Sequence, residues 1–232
     1  ELGVDALETD VHVTRDGHVV VHHDASARRM ASDGRLVSES SLEEMTRLNV
    51  GFGFRPLAGR DRAAPLDRSF RVPTLAEALR RFPTTRFNVD IKPERGAVGA
   101  VLEVVRAARA EERVLLTSFY DTVTREVRRR AYGGPTGLAQ KEALAALMLG
   151  ERAPAFLRPA GQRIQLPTRI GPFDLLQRSR VSRLQRLGLA VDFWVINDPE
   201  VARTARAAGA DGVMTDDPRA IVAALREPAR SV

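Results

Sequence analysis

Short runs rich in β-branched residues alternate with amphipathic helical stretches along most of the 232-residue chain, and this alternation restricts the fold more than any other feature. Ala6–Val13 reads as a strand, Asp16 and Gly17 as a hairpin turn, and His18–His23 as the returning strand. Ser41–Leu48 reads as a short helix capped by Ser40 or Ser41, with Glu43 and Glu44 in its first turn. Gly51–Arg71 reads as a long loop, of a length that often marks a functional segment or lid. Thr74 can cap a helix over Ala76–Arg81, with Glu77 at its third position. Strands are then expected at Arg86–Lys92, Arg113–Ser118, Thr136–Ala139, Arg163–Leu166, Leu189–Ile196 and Gly212–Thr215. Helices are expected at Val98–Ala110, Thr122–Ala131, near Asp174–Leu187, at Pro199–Ala208 and at Pro218–Leu225.

Such alternation implies right-handed βαβ units around a parallel sheet. The expected fold class is α/β: a TIM (β/α)8 barrel lacking one βα unit, formed by residues 1–226 as a single domain, with 227–232 a frayed tail. An open, doubly wound sheet is the alternative. No G-x-G-x-x-G segment follows any strand, which weighs against its dinucleotide-binding version.

Composition removes several function classes. The chain has no Cys, so disulfide scaffolds, thiolate metal sites and cysteine nucleophiles are excluded. No apolar run approaches the length of a membrane span. The net charge of +6 invites a nucleic-acid reading, but the arginines are scattered among Asp and Glu, and the densest run, Arg128–Arg130, lies on an expected helix without interleaved aromatics. An arginine-biased solvated surface is the expectation, with no nucleic-acid partner; the positive charge would still favour an anionic substrate.

The candidate chemistry sits at strand ends. Glu8 and Asp10 stand two apart, so they share one strand face; both stay ionised only if a cation or donors lie between them, and a hard divalent ion with oxygen ligands suits them. Asp90 and Lys92 repeat the spacing on a later strand, the acid able to complete a three-carboxylate site and the lysine to meet a phosphate. The plain alternatives are solvated acids paired with arginines and a local ion pair. His22, His23 and Asp24 end the returning strand, and parity lets only one of the two histidines face a common site. His12 and His18 read as surface residues, Trp194 as core packing or a binding surface, and Asp216 as the cap of the final helix.

Taken in order, these segments resemble the glycerophosphodiester phosphodiesterase family. Gly3–Val11 resembles its glutamate-x-aspartate strand. Thr14–Gly17 followed by Val19–Asp24 resembles its hairpin and histidine–aspartate motif. Val72–Leu75, Asn88–Pro93, Ser118–Phe119, Trp194–Asn197 and Gly209–Pro218 resemble its later blocks. The resemblance implies a TIM barrel of the phospholipase C-like phosphodiesterase type. It implies cleavage of glycerophosphodiesters to sn-glycerol 3-phosphate and an alcohol, in lipid and glycerol metabolism. It further implies one divalent cation, Ca²⁺ or Mg²⁺, held by Glu8, Asp10 and Asp90, His23 as one of two catalytic histidines, and Lys92 and Trp194 as substrate-binding residues.

Two departures shape the expectation. Asp90 stands where the family has Glu, one methylene shorter. The family's opening histidine–arginine–glycine strand and first helix are absent, and with them the other catalytic histidine; an acid/base group is worth about 10²–10⁴ in rate, so the chain as given is expected to be impaired. The cytoplasm is the expected compartment, with secretion left open by the missing start. The alternatives are a phospholipase D-like hydrolase of lysophospholipids or sphingolipids, with an acyl groove near Phe52, Phe54 and Leu57, and a non-catalytic barrel acting as a binding module.

Overall fold

The computed structural model describes residues 2–52, 70–150 and 159–226. Most of the expected loop Gly51–Arg71, with Phe54 and Leu57, and the tail 227–232 lie outside the described residues. The strands are β1 (Ala6–Val13), β2 (Val19–Val21), β3 (Arg86–Ile91), β4 (Val114–Thr117), β5 (Arg163–Pro167), β6 (Arg169–Ile170), β7 (Phe173–Asp174), β8 (Ala190–Trp194) and β9 (Gly212–Val213). The α-helices are α1 (Arg28–Ala31), α2 (Leu42–Thr46), α3 (Leu75–Arg81), α4 (Ala97–Ala107), α5 (Asp121–Arg129), α6 (Gln140–Leu149), α7 (Arg178–Gln185), α8 (Pro199–Ala208) and α9 (Pro218–Arg226).

Local chemistry sets several of these boundaries. Thr74 and Glu77 form a reciprocal capping box at the start of α3, and Ser41 and Glu44 do the same for α2. Asp198 caps α8, Pro199 occupies its first turn, and Gly209 ends it in the left-handed region at φ 91°. The cap of α9 corrects the sequence reading: Asp217, not Asp216, accepts from the Ala220 amide at 3.2 Å. Asp216 instead receives the Asn197 side-chain amide at 3.0 Å. The expected helix near Asp174–Leu187 begins only at Arg178, because Phe173–Asp174 turn back on Arg169–Ile170 as a two-stranded hairpin.

The parallel sheet runs in the order β1, β3, β4, then a bridging segment, then β5, β8, β9. The bridging segment is the expected strand Thr136–Ala139, reduced to two parallel bridges, Leu116 to Thr136 and Gly137 to Arg163. Gly137 is needed there: a Cβ on it would come within 2.3 Å of Thr117 Oγ1. β2 pairs antiparallel with the end of β1. Among the described residues no ladder joins β9 to β1.

Period two divides the strand faces. Val11, Phe87, Val89 and Ile91 pack with Leu75 and Leu79 of α3 and Val98, Val101, Leu102 and Val105 of α4 into one apolar core. Ile164, Leu166, Val191 and Phe193 pack with α6, α7, α8 and α9 into a second. Each such fully buried side chain contributes roughly 1.5–3 kcal/mol. The opposite faces of β1 and β3 carry polar residues, and these build the site.

Candidate active site

Two facing rows of polar side chains form the centre. On β1 the row is Glu8, Asp10 and His12; on β3 and its continuation it is Asn88, Asp90 and Lys92, with Glu94 beyond. The parallel register sets Glu8 against Asn88 and Asp10 against Asp90. Four of the residues expected from the sequence, Glu8, Asp10, Asp90 and Lys92, therefore meet at the carboxyl end of the sheet, where α/β folds place their ligands.

The Lys92 ammonium lies 2.5 Å from Asp10 Oδ1 and 3.3 Å from Asp90 Oδ2. Burial alone would lower the lysine, but the hydrogen bond to Asp10 and the charge of Asp90 outweigh it and raise it. Desolvation also raises Asp90, with Lys92 opposing and Asp10 adding to the shift. Desolvation by the surrounding protein, then the charges of Asp10 and Asp90, push Glu8 up to about 7, against the pull of Lys92 and His23. Glu8 is also in contact with solvent, and a third negative charge beside Asp10 and Asp90 is disfavoured.

Among the described residues, no three His, Asp or Glu side chains are grouped closely enough to hold a metal ion as they stand. The donor chemistry nonetheless fits a hard cation. Three carboxylates share one face, and Asp90 Oδ1 is buried with no hydrogen-bond partner.

His23 lies past the end of β2 with its side chain 66% exposed. Its Nδ1 donates to Asp24 Oδ1 at 2.6 Å. Asp24 is held by Arg29, whose Nε donates to Oδ2 at 2.6 Å, and these bonds, Arg29 first, bring the carboxyl down to about 2. An ionised carboxylate only accepts, so Nδ1 carries a proton, and no hydrogen bond among the described residues engages Nε2. His22 is buried and pairs its Nδ1 with the Asp24 carbonyl at 2.7 Å, which leaves His23 the more exposed of the two histidines.

His12 departs from the surface position expected for it. It is 4% exposed, with Nδ1 2.5 Å from Glu94 Oε1. The signal was present: His12 continues the two-residue spacing of Glu8 and Asp10. Trp194, 40% exposed, stands at the carboxyl end of β8. No hydrogen bond or ion pair among the described residues ties it to the Lys92 cluster. Asn197 accepts from the Thr215 hydroxyl and from the Asp216 amide, and so fixes the loop after β9 to the loop after β8.

The model of the glycerophosphoryl diester phosphodiesterase family matches residues 1–220. A probable glycerophosphodiester phosphodiesterase 2 from Mycobacterium tuberculosis is 31% identical over 93% of this chain and 77% of the relative. A glycerophosphodiester phosphodiesterase from Caldanaerobacter subterraneus is 27% identical over 98% of this chain and 88% of the relative. The structure of an Oleispira antarctica phosphodiesterase in complex with the product sn-glycerol-3-phosphate shares the fold, with a TM-score of 0.79, 21% identity and coverage of 97% of this chain and 87% of that one. No described helix is long and apolar enough to cross a membrane. The chain belongs to the glycerophosphoryl diester phosphodiesterase family, a family of hydrolases.

Proposed function

We propose that this protein hydrolyses glycerophosphodiesters to sn-glycerol 3-phosphate and an alcohol. The observation that carries this reading is the pair of facing rows on β1 and β3, with three carboxylates and Lys92 at one strand end and the Nε2 of His23 beside them. The product bound by the Oleispira antarctica neighbour is of the same class. The parallel order from β1 to β9 supports a (β/α)8 barrel of the phospholipase C-like type.

In this reading His23 moves the proton at one of the two ester oxygens through Nε2, while Asp24 and Arg29 keep Nδ1 protonated and the ring aimed. Lys92 supplies a cationic donor for a non-bridging phosphate oxygen. Trp194, exposed at the same end of the sheet, offers an apolar wall to the glycerol carbons. Glu8, Asp10 and Asp90 would hold one divalent cation, Ca²⁺ or Mg²⁺. When bound, such a cation neutralises phosphate charge. The orphaned Asp90 Oδ1 and the disfavoured third carboxylate charge support this assignment.

The test is release of sn-glycerol 3-phosphate from glycerophosphocholine and glycerophosphoethanolamine, with and without EDTA. Release that EDTA abolishes is the expected result. Turnover of lysophosphatidylcholine alone would move the assignment to a phospholipase D-like lipid hydrolase, and no turnover of any diester by the folded full-length protein would leave a binding module.

A further inference from the structure

We propose that His12 and Glu94 are positioning residues for His23, a role that rests on the reading of His23 as the proton-transfer residue. His12 is buried beneath the loop that carries His23, and both of its ring nitrogens face acceptors. Nδ1 meets Glu94 Oε1 at 2.5 Å, and Nε2 meets the His23 backbone carbonyl at 3.3 Å. The other Glu94 oxygen accepts from the Val13 amide at 2.8 Å, so the carboxylate is held from two sides of its own. A second buried ring, His22, packs edge-on to His12 with centroids 6.4 Å apart and holds the next carbonyl, that of Asp24.

The exposed His23 ring is thus fixed from below through its backbone and from the side through Asp24. The connection also spans the site. Glu94 stands two residues past Lys92, so the Glu94–His12–His23 chain ties the loop after β3, which carries the phosphate-binding cation, to the loop after β2, which carries the acid/base. A purely structural need at this depth is met as well or better by apolar packing, because burying polar groups carries a desolvation cost. A polar relay reaching one specific carbonyl points to orientation instead.

The two amide variants of His12 separate these roles, because each reproduces one ring nitrogen. The amide of His12→Asn overlays Nδ1, still meets Glu94, and stops short of the His23 carbonyl. The amide of His12→Gln overlays Nε2 and reaches that carbonyl. With glycerophosphocholine and the full-length protein, His12→Asn is expected to lower kcat on the order of 10²-fold with KM unchanged, and His12→Gln to recover most of that loss. Glu94→Gln keeps the shape of the side chain and is expected to lower kcat without moving the melting temperature. Equal kcat in the two His12 variants, a loss that appears in KM, or an unchanged kcat in Glu94→Gln overturns the proposal. Wild-type turnover in His23→Asn would instead remove the reading of His23 on which it rests.

Discussion

Lys92 Nζ and Asp10 Oδ1 are 2.5 Å apart, and that contact sets the charge balance of the whole strand end. Glu8, Asp10 and Asp90 crowd three carboxyls onto one face, and Lys92 is the cation in direct contact with two of them. The arrangement is in tension, since Glu8 is pushed toward its neutral form and one Asp90 oxygen has no partner. A ligand that brings positive charge relieves both.

Removing the lysine makes this tension measurable. Lys92→Ala is expected to abolish most turnover, by about 10²–10³-fold, as loss of one donor to a developing phosphoryl charge does. It also leaves the carboxylates uncompensated, so its melting temperature in EDTA should fall below that of the wild type. Adding Ca²⁺ or Mg²⁺ should then raise the melting temperature of the variant more than that of the wild type. An equal or smaller rise in the variant would show that the three acids do not form the cation site.

Asp24 gives a second prediction. Its carboxylate holds the proton of His23 on Nδ1, and Arg29 keeps it ionised. Asp24→Asn lets the side chain present either a donor or an acceptor, so the imidazole is no longer confined to one tautomer. The expected outcome is a drop in kcat on the order of 10²-fold with KM nearly unchanged. Arg29→Ala should cost less, because Asp24 remains as the acceptor. A fall confined to KM in Asp24→Asn would place Asp24 in substrate binding.

Much of this site was legible in the sequence, because its central residues obey a period of two on strands whose limits are well marked. Ala6–Val13 and Pro199–Ala208 form as expected, and the spacing of Glu8 with Asp10 and of Asp90 with Lys92 places all four together. What escaped depends on tertiary contact. Glu94 lies past the end of β3, where strand parity no longer says which way a side chain points, and His12, which flanks a hairpin, is drawn inward by its contact with Glu94. The helix α6 was not expected: Ala146 and Leu147 are buried while Leu144, Met148 and Leu149 are exposed, so its apolar residues form no single stripe. Asp217 directly precedes Pro218, the first residue of α9, and so takes the cap as Asp198 does before Pro199, while Asp216 is engaged by Asn197.

Acid stability should report on the start of α3. Glu77 has an ordinary value of 4.5 and is brought down to about 2, first by its bond to Arg71 and then by the Thr74 amide. The folded state thus holds this proton more weakly than the unfolded chain does. As pH falls, the unfolded chain is protonated first, so the contribution of Glu77 is complete above about pH 4.5 and is lost as pH drops toward 2. Glu77→Gln should therefore show a shallower loss of stability than the wild type over that window, measured by urea denaturation. Thr74→Ala, which removes the other half of the capping box, should cost about 1 kcal/mol near neutral pH.

The face of β5 and β8 opposite the second core carries a prediction about coupling. The Arg163 guanidinium grips Asp192 with both Nε and Nη2, the Nε contact being 2.7 Å, and Asp192 is only 4% exposed. Gly212 on β9 lies directly against this pair: a Cβ there would stand 2.2 Å from Asp192 Oδ1. Asp192→Ala leaves a half-buried guanidinium without its partner and should cost about 2–3 kcal/mol, less than a fully buried pair because solvent reaches Arg163. Gly212→Ala should also destabilise, since the carboxylate it meets is held in place by Arg163 and cannot swing away. Combining the two removes the clash, so the double variant should be more stable than the sum of the single losses predicts, by about 1 kcal/mol or more. Strict additivity in urea denaturation would mean that β9 shifts freely away from β8, and that the Arg163–Asp192 pair does not fix the position of the strand leading into the Thr215–Asp217 loop.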